Sequence, residues 1–278
     1  MVNYKTLLDE AKAKCVEIGF EPSRAEWLML DLFRWSKSDF IMHLNDDVSN
    51  EHLSLFNTAK KRMLTGEPIQ YIVGFQSFYG ETFKVSQHCL IPRPETEEVM
   101  LHFFKQLNHG DCVVDIGTGS GNIPVTLKMM DETLEVYATD LYSEPLMIAK
   151  ENAQLHQADV QFLQGDTLEP LITQGIKVNG LISNPPYIDD DEATLMDDTV
   201  LKYEPHNALF AEGKGYKIYE KILEQLPEIL LPQAKVVFEI GFKQGPTLKQ
   251  KINALYPLLD VHIIKDINGN DRIISFEW

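Results

Sequence analysis

Val113-Val114-Asp115-Ile116-Gly117-Thr118-Gly119-Ser120-Gly121 is the stretch that decides the fold. A strand-prone run leads into alternating glycines, and a helical pattern follows over 121–130. Glycine reaches positive φ without a Cβ clash and lets a ligand approach the backbone. Strand, glycine turn and helix start, in that order, build a ligand crevice at the carboxyl edge of an α/β sheet. The dinucleotide fingerprint is G-x-G-x-x-G; here the glycines run G-x-G-x-G and Asn122 follows. That spacing favours an adenosyl-amino acid over a pyrophosphate.

Reading downstream, Val136-Tyr137-Ala138-Thr139-Asp140 ends in an acid about 20 residues after the loop, where a carboxylate can accept from both ribose hydroxyls. Asp166 closes the next strand in Gln164-Gly165-Asp166-Thr167, within reach of an adenine amino group. Asp115 lies beside the loop, placed to meet the amino group of the amino-acid part. Strands are expected at 111–116, 134–139, 159–163, 179–183, 234–240, 259–265 and 271–277, and helices at 121–130, 144–156, 215–230 and 244–255. Such alternation implies a mostly parallel, Rossmann-like seven-stranded sheet covered on both faces. Only Asn268-Gly269-Asn270 separates the last two strands, so the final one should return antiparallel.

Upstream, apolar residues at helical spacing predict a small N-terminal helical bundle over 1–68, with Ser49 as a cap and Gly66 and Pro68 as the stop. Tyr71-Ile72-Val73 and Glu81-Thr82-Phe83-Lys84-Val85 read as the two strands of a β-hairpin linker over 69–91. A helix to about Asn108 then opens the main domain, 92–278.

The formal charge is −17. Residues 1–75 hold 9 basic and 11 acidic side chains, and the remainder 16 and 31, so the acidity belongs to the main domain. Duplex DNA binding needs Lys and Arg to displace counterions, which this balance disfavours. Three scattered cysteines, no apolar run of spanning length and no signal peptide point to the reducing cytoplasm and away from a membrane. The histidines show no metal-ligand spacing, so no metal is expected. Asp189-Asp190-Asp191-Glu192, with Asp197 and Asp198 behind, reads first as a solvated face and second as a lure for a basic partner.

The fourth expected strand ends in Asn184-Pro185-Pro186-Tyr187. Two prolines fix φ and remove two backbone donors, leaving a stiff turn of carbonyl oxygens, an Asn amide and a Tyr ring. Asn184 and the Pro185 carbonyl can each accept an N–H of a planar NH2 group while Tyr187 lies on its face. Two such acceptors localise the nitrogen lone pair toward an electrophilic methyl. The acceptor is thus an amide or an aromatic amine. A nucleic-acid amino group remains an alternative, and so does a protein-binding module with a degenerate loop.

At these motifs the chain resembles the glutamine-N5 methyltransferases of class I peptide chain release factors, the HemK/PrmC-type enzymes. The resemblance runs through Leu90-Ile91-Pro92-Arg93-Pro94-Glu95-Thr96-Glu97, the glycine loop, Ser183-Asn184-Pro185-Pro186-Tyr187-Ile188, Glu204-Pro205 and Asp266-Ile267-Asn268-Gly269-Asn270-Asp271-Arg272. It implies that Gly117, Thr118, Gly119, Ser120, Gly121, Asp140 and Asn184 bind S-adenosylmethionine. It implies that Asn184, Pro185, Pro186 and Tyr187 hold the glutamine of a Gly-Gly-Gln tripeptide, with release factors as partners. One departure is Thr167, at the adenine position after Asp166, where members often carry an aromatic residue.

Overall fold

The computed structural model describes residues 2–189, 191 and 196–278. The chain forms two compact units. The first is Met1–Phe75 together with Asp197–Tyr203, and the second is Gln76–Met196 with Glu204–Trp278.

In the first unit, helices α1 (Tyr4–Glu17), α2 (Ser23–Phe33), α3 (Lys37–His43), α4 (Asn50–Met63) and α5 (Ile69–Val73) enclose a core that includes Leu7, Leu28, Met29, Phe56 and Met63. The starts are capped as their sequences require. Asn3 accepts from the Thr6 N–H at 2.8 Å, Ser49 accepts from the His52 N–H at 3.1 Å, and Ser36 forms a reciprocal capping box with Asp39. Tyr71-Ile72-Val73 is helical, not a strand. Pro68 opens that turn, Gly74 closes it at φ +83, and Ile69 and Tyr71 are buried in it. Burial of the side chains outweighs the modest β preference of Ile and Val.

The hairpin therefore starts later, as β1 (Phe75–Phe78) and β2 (Glu81–Lys84). Tyr79 and Gly80 form its turn at φ +51 and +80. Positive φ at both central residues is the type I′ geometry that matches strand twist. The Tyr79 N–H donates to Glu97 Oε1 at 2.8 Å, and Phe78 and Phe83 are fully buried beneath. Pro94 opens α6 (Pro94–Phe104), which ends some residues short of the expected Asn108.

The remaining elements in the second unit are β3 (Cys112–Ile116), α7 (Asn122–Met130), β4 (Glu135–Asp140), α8 (Ser143–Leu155), β5 (Val160–Gln164), α9 (Glu169–Gln174) and β6 (Val178–Ser183). After α10 (Asp198–Tyr203), which belongs to the first unit, come α11 (His206–Leu209), α12 (Lys217–Ile229), β7 (Leu230–Glu239), α13 (Gly245–Leu255), β8 (His262–Lys265) and β9 (Asp271–Glu277). The seven-stranded sheet has the order β5-β4-β3-β6-β7-β9-β8. All pairs are parallel up to β7, and β9 is antiparallel to both β7 and β8. The expected seven strands are all present; the short helices α9, α10 and α11 were not foreseen. Val114 and Ile116 face one apolar layer with α12, and Val113 faces the other with α6 and α7.

The chain winds outward from β3 to β5 and then returns to β6, so strand order reverses between β3 and β6. Ligands bind outside the carboxyl ends of strands at such a switch. Register places Ile116 opposite both Thr139 and Ser183, bringing three strand ends level. The Ser183 hydroxyl donates to the Ile116 carbonyl at 2.8 Å, and the N–H groups of Gly117 and Thr118 donate to the Thr139 carbonyl at 2.9 and 3.0 Å.

Candidate active site

A cavity of about 340 Å³ opens at these strand ends. Gly117, Thr118, Gly119, Ser120, Asp140, Asp166, Thr167, Asn184, Pro185 and Pro186 all line it. Gly117 and Gly119 have φ of +71 and +55, and no atom lies within 4 Å of where their Cβ would stand. The loop thus presents bare backbone. Gly121 differs: it is not a wall residue, and a Cβ there would lie 2.9 Å from that of Ala149. The missing side chain there is what lets α7 pack on α8.

Asp140 ends β4 almost fully buried. Its Oδ2 accepts from the Gly119 N–H at 3.0 Å and its Oδ1 from the Tyr142 N–H at 3.1 Å. Burial raises its pKa, and those backbone donors pull the other way. The carboxylate therefore shapes the glycine loop as well as facing the cavity.

Asp115 sits behind the wall, not in it. It is 1% exposed, and burial pushes its carboxyl up to about 7, with the Thr118 hydroxyl opposing and the Asp140 charge adding to the rise. Asp166 lines the cavity, yet its Oδ2 is 2.5 Å from Lys221 Nζ, which also meets Glu169. Thr167 adopts φ +51, held by its hydroxyl donating to Gln225 Oε1 at 2.8 Å.

The turn after β6 is fastened at several points. Asn184 Nδ2 donates to Thr96 Oγ1 at 3.2 Å, and the Thr96 hydroxyl donates to Glu239 Oε2 at 2.7 Å. Gln244 Nε2 donates to the Tyr187 carbonyl at 2.9 Å, while its Oε1 accepts from the Gly241 N–H at 3.0 Å. The Ile188 N–H donates to Leu209 O and the Ile188 carbonyl accepts from the Ala211 N–H. Asn184, Pro185 and Pro186 meet in the cavity wall, but the Tyr187 ring packs against the apolar layer beside Tyr219 and is absent from the wall. Tyr187 thus stands apart from the place expected of a ring stacked on the acceptor. Burial pushes its hydroxyl up to about 12, so it remains neutral at physiological pH.

Residues 6–74 match the family described as PrmC N-terminal domain, and residues 95–230 the one described as methyltransferase small domain. A release factor glutamine methyltransferase of Staphylococcus aureus is 56% identical over 278 residues, covering 100% of both chains. The protein of the same name from Enterococcus faecalis is 38% identical over 99% of each. The chain belongs to the release factor glutamine methyltransferase family. A solved methyltransferase from Pyrococcus furiosus shares the fold at 18% identity, with a TM-score of 0.54 over 80% of this chain and 98% of its own. A member of this family is an S-adenosylmethionine-dependent enzyme, and S-adenosylmethionine is the methyl donor.

The cavity suits that donor. Bare backbone at Gly117 and Gly119 leaves room for it, and Asp140 brings a carboxylate to the wall. Sequence reasoning missed the residues that fasten the site: Thr96 and Arg93, which line the cavity, and Glu239 and Gln244, which stand behind it; Arg93 Nη2 meets the buried Glu204 Oε1 at 2.5 Å. The Pro-Arg-Pro-Glu-Thr-Glu segment flagged Arg93 and Thr96 without giving them roles. Of the acidic run, Asp190 and Glu192 lie outside the described residues. Among the described residues no helix is long and apolar enough to cross a membrane.

Proposed function

We propose that the enzyme methylates the side-chain amide nitrogen of the glutamine in the Gly-Gly-Gln motif of class I peptide chain release factors. The observation that carries this reading is the orientation of Asn184. Its NH2 end is used on Thr96, so its Oδ1 is left for the cavity beside Pro185. An acceptor facing that wall must bring hydrogens, as an amide NH2 does. The names borne by the relatives support a glutamine of a release factor as the acceptor.

S-adenosylmethionine, when bound, supplies an electrophilic methyl carried on a sulfonium. Asp140 and the glycine loop bind the donor. Asn184 Oδ1 and the Pro185 carbonyl accept the two amide hydrogens, hold the nitrogen in line and draw its lone pair out of conjugation. With the donor bound, its methyl would pass to the amide nitrogen that Asn184 and Pro185 hold, and the surplus amide proton would leave to solvent. Tyr187 contributes stiffness through its pinned carbonyl. The helical first unit is the part that docks the protein substrate in this reading.

Transfer of labelled methyl to purified release factor tests the reading, with DNA and ribosomal RNA as parallel acceptors. Label should enter the release factor and vanish when the Gly-Gly-Gln glutamine is replaced by alanine. Label entering nucleic acid instead would overturn the assignment.

A further inference from the structure

A side-chain amide has two ends of similar shape and opposite polarity. Placing the wrong end of Asn184 toward the cavity would offer hydrogens to a substrate that also brings hydrogens. The chain of contacts behind Asn184 determines which end faces out. Glu239 and Thr96 are 2% and 3% exposed, so neither exchanges its partner for water. An ionised carboxylate only accepts. The single Thr96 hydrogen is therefore committed to Glu239 Oε2, and the lone pairs of Thr96 Oγ1 are what Asn184 meets. While Glu239 is ionised, only the NH2 end of Asn184 can satisfy that contact.

We infer that Thr96 and Glu239 are positioning residues for methyl transfer, a two-link relay that sets the polarity of the Asn184 amide. The inference rests on the proposed role of Asn184 as acceptor of the substrate N–H. The three residues come from separate elements: Thr96 from the first turn of α6, Asn184 from the turn after β6, and Glu239 from the end of β7. The relay joins them across the carboxyl edge of the sheet.

The relay has a built-in pH response. If Glu239 takes up a proton, it can donate to Thr96 Oγ1. The Thr96 hydrogen is then free to point at Asn184 Oδ1, and both amide orientations become possible. Burial pushes Glu239 up to about 7. Thr96 and the guanidiniums of Arg272 and Arg93 pull it down, and Glu95 pushes it up. The remaining neighbours, Tyr187 and Tyr219, have raised pKa values and stay neutral in this range. Turnover should accordingly fall as pH drops through about 7, as the carboxylate gains its proton.

Two substitutions at Thr96 separate polarity from packing. Thr96→Val keeps the shape and loses the hydroxyl, whereas Thr96→Ser keeps the hydroxyl and loses the methyl. With release factor as acceptor and saturating cofactor, the valine variant should lose about tenfold or more in kcat, the scale of one lost buried hydrogen bond, and cofactor affinity measured alongside separates donor binding from chemistry. The serine variant should recover most of that loss. Glu239→Gln should flatten the pH profile between about 6 and 8, because the titrating group is gone. A valine variant as fast as wild type, or a serine variant as slow as valine, overturns the relay.

A second readout needs no acceptor. In nitrogen-15 spectra of the whole chain, the Asn184 side-chain protons, assigned by their loss in Asn184→Leu, should show slowed exchange in wild type and Thr96→Ser but not in Thr96→Val. Equal exchange in all three also overturns the relay. Should wild type leave release factor unmethylated while the spectra behave as stated, the functional reading fails and the relay survives.

Discussion

Gly215 lies against Tyr187 so closely that a Cβ on it would stand 2.1 Å from the Tyr187 carbonyl oxygen. The same Cβ would be 2.7 Å from Gln244 Nε2, the group that holds that carbonyl. Gly215 also has φ +78, where an L side chain is strained. Gly215→Ala must therefore push the turn carrying Asn184 or break the Gln244 contact. We expect a loss of about 1–3 kcal/mol of stability, as in other overpacked interiors, together with reduced kcat. Urea unfolding and steady-state kinetics check both. A variant matching wild type in each would show that the turn yields freely.

Asp140 holds the glycine loop through the Gly119 N–H as well as facing the donor. Asp140→Ala should weaken S-adenosylmethionine binding about tenfold or more, since hydrogen bonds to a charged acceptor are each worth about 1.5–3 kcal/mol. Calorimetry on the folded variant measures it, and unchanged affinity would remove Asp140 from the donor site.

For Asn184, the loss of the acceptor oxygen in Asn184→Leu should cost about 10²-fold in kcat, the scale of one preorganised contact. Asn184→Asp keeps an oxygen but cannot donate to Thr96, whose hydrogen is already given to Glu239. The new carboxyl would face a second carboxylate across one hydroxyl. We expect Asp to turn over measurably but more slowly than wild type, and to improve as the pH falls enough to protonate it. Cofactor affinity measured alongside separates donor binding from chemistry. Leucine turning over at the wild-type rate would sink the acceptor role.

Asp115 offers a test of burial. Its folded pKa of about 7 lies above the roughly 4 of an exposed aspartate. A raised carboxyl pKa means that the folded state holds the proton more tightly than the unfolded chain. Its contribution to stability is therefore fully present below about pH 4 and declines as pH rises to about 7. Asp115→Asn removes this dependence. Over that window, the variant should gain stability relative to wild type by a few kcal/mol, on the order of 1.4 per pH unit. Denaturant unfolding of the cofactor-free protein at several pH values measures the difference. A difference that stays flat across the window would contradict a buried, titrating Asp115.

The strands themselves were legible because each run of Val, Ile and Phe is short and each is followed by a turn or a helix pattern, whereas their order in the sheet was not read. The glycine loop and the Asn-Pro-Pro-Tyr turn were legible because their backbone demands are local. Tyr71-Ile72-Val73 was misread because its helix is set by what Ile69 and Tyr71 bury, a tertiary effect. Gly121 looked like its loop neighbours, and only the approach of Ala149 distinguishes it. The direction of the Tyr187 ring and the partners of Asn184 were hidden for a plainer reason. Thr96 is 88 positions from Asn184, and Glu239 is 143 from Thr96. No local pattern encodes those meetings.

The first unit is drawn from two stretches of chain. The Tyr203 hydroxyl donates to the Thr65 carbonyl at 2.9 Å, and Thr199 packs over Gly66. Its boundary is thus crossed three times by the backbone, and no single cut frees it. A truncation after Phe75 would strand α10 on the remaining piece, and the excised helices would lack it. Swapping the unit between relatives means carrying Asp197–Tyr203 along, so the two stretches are expected to be inherited as a matched pair.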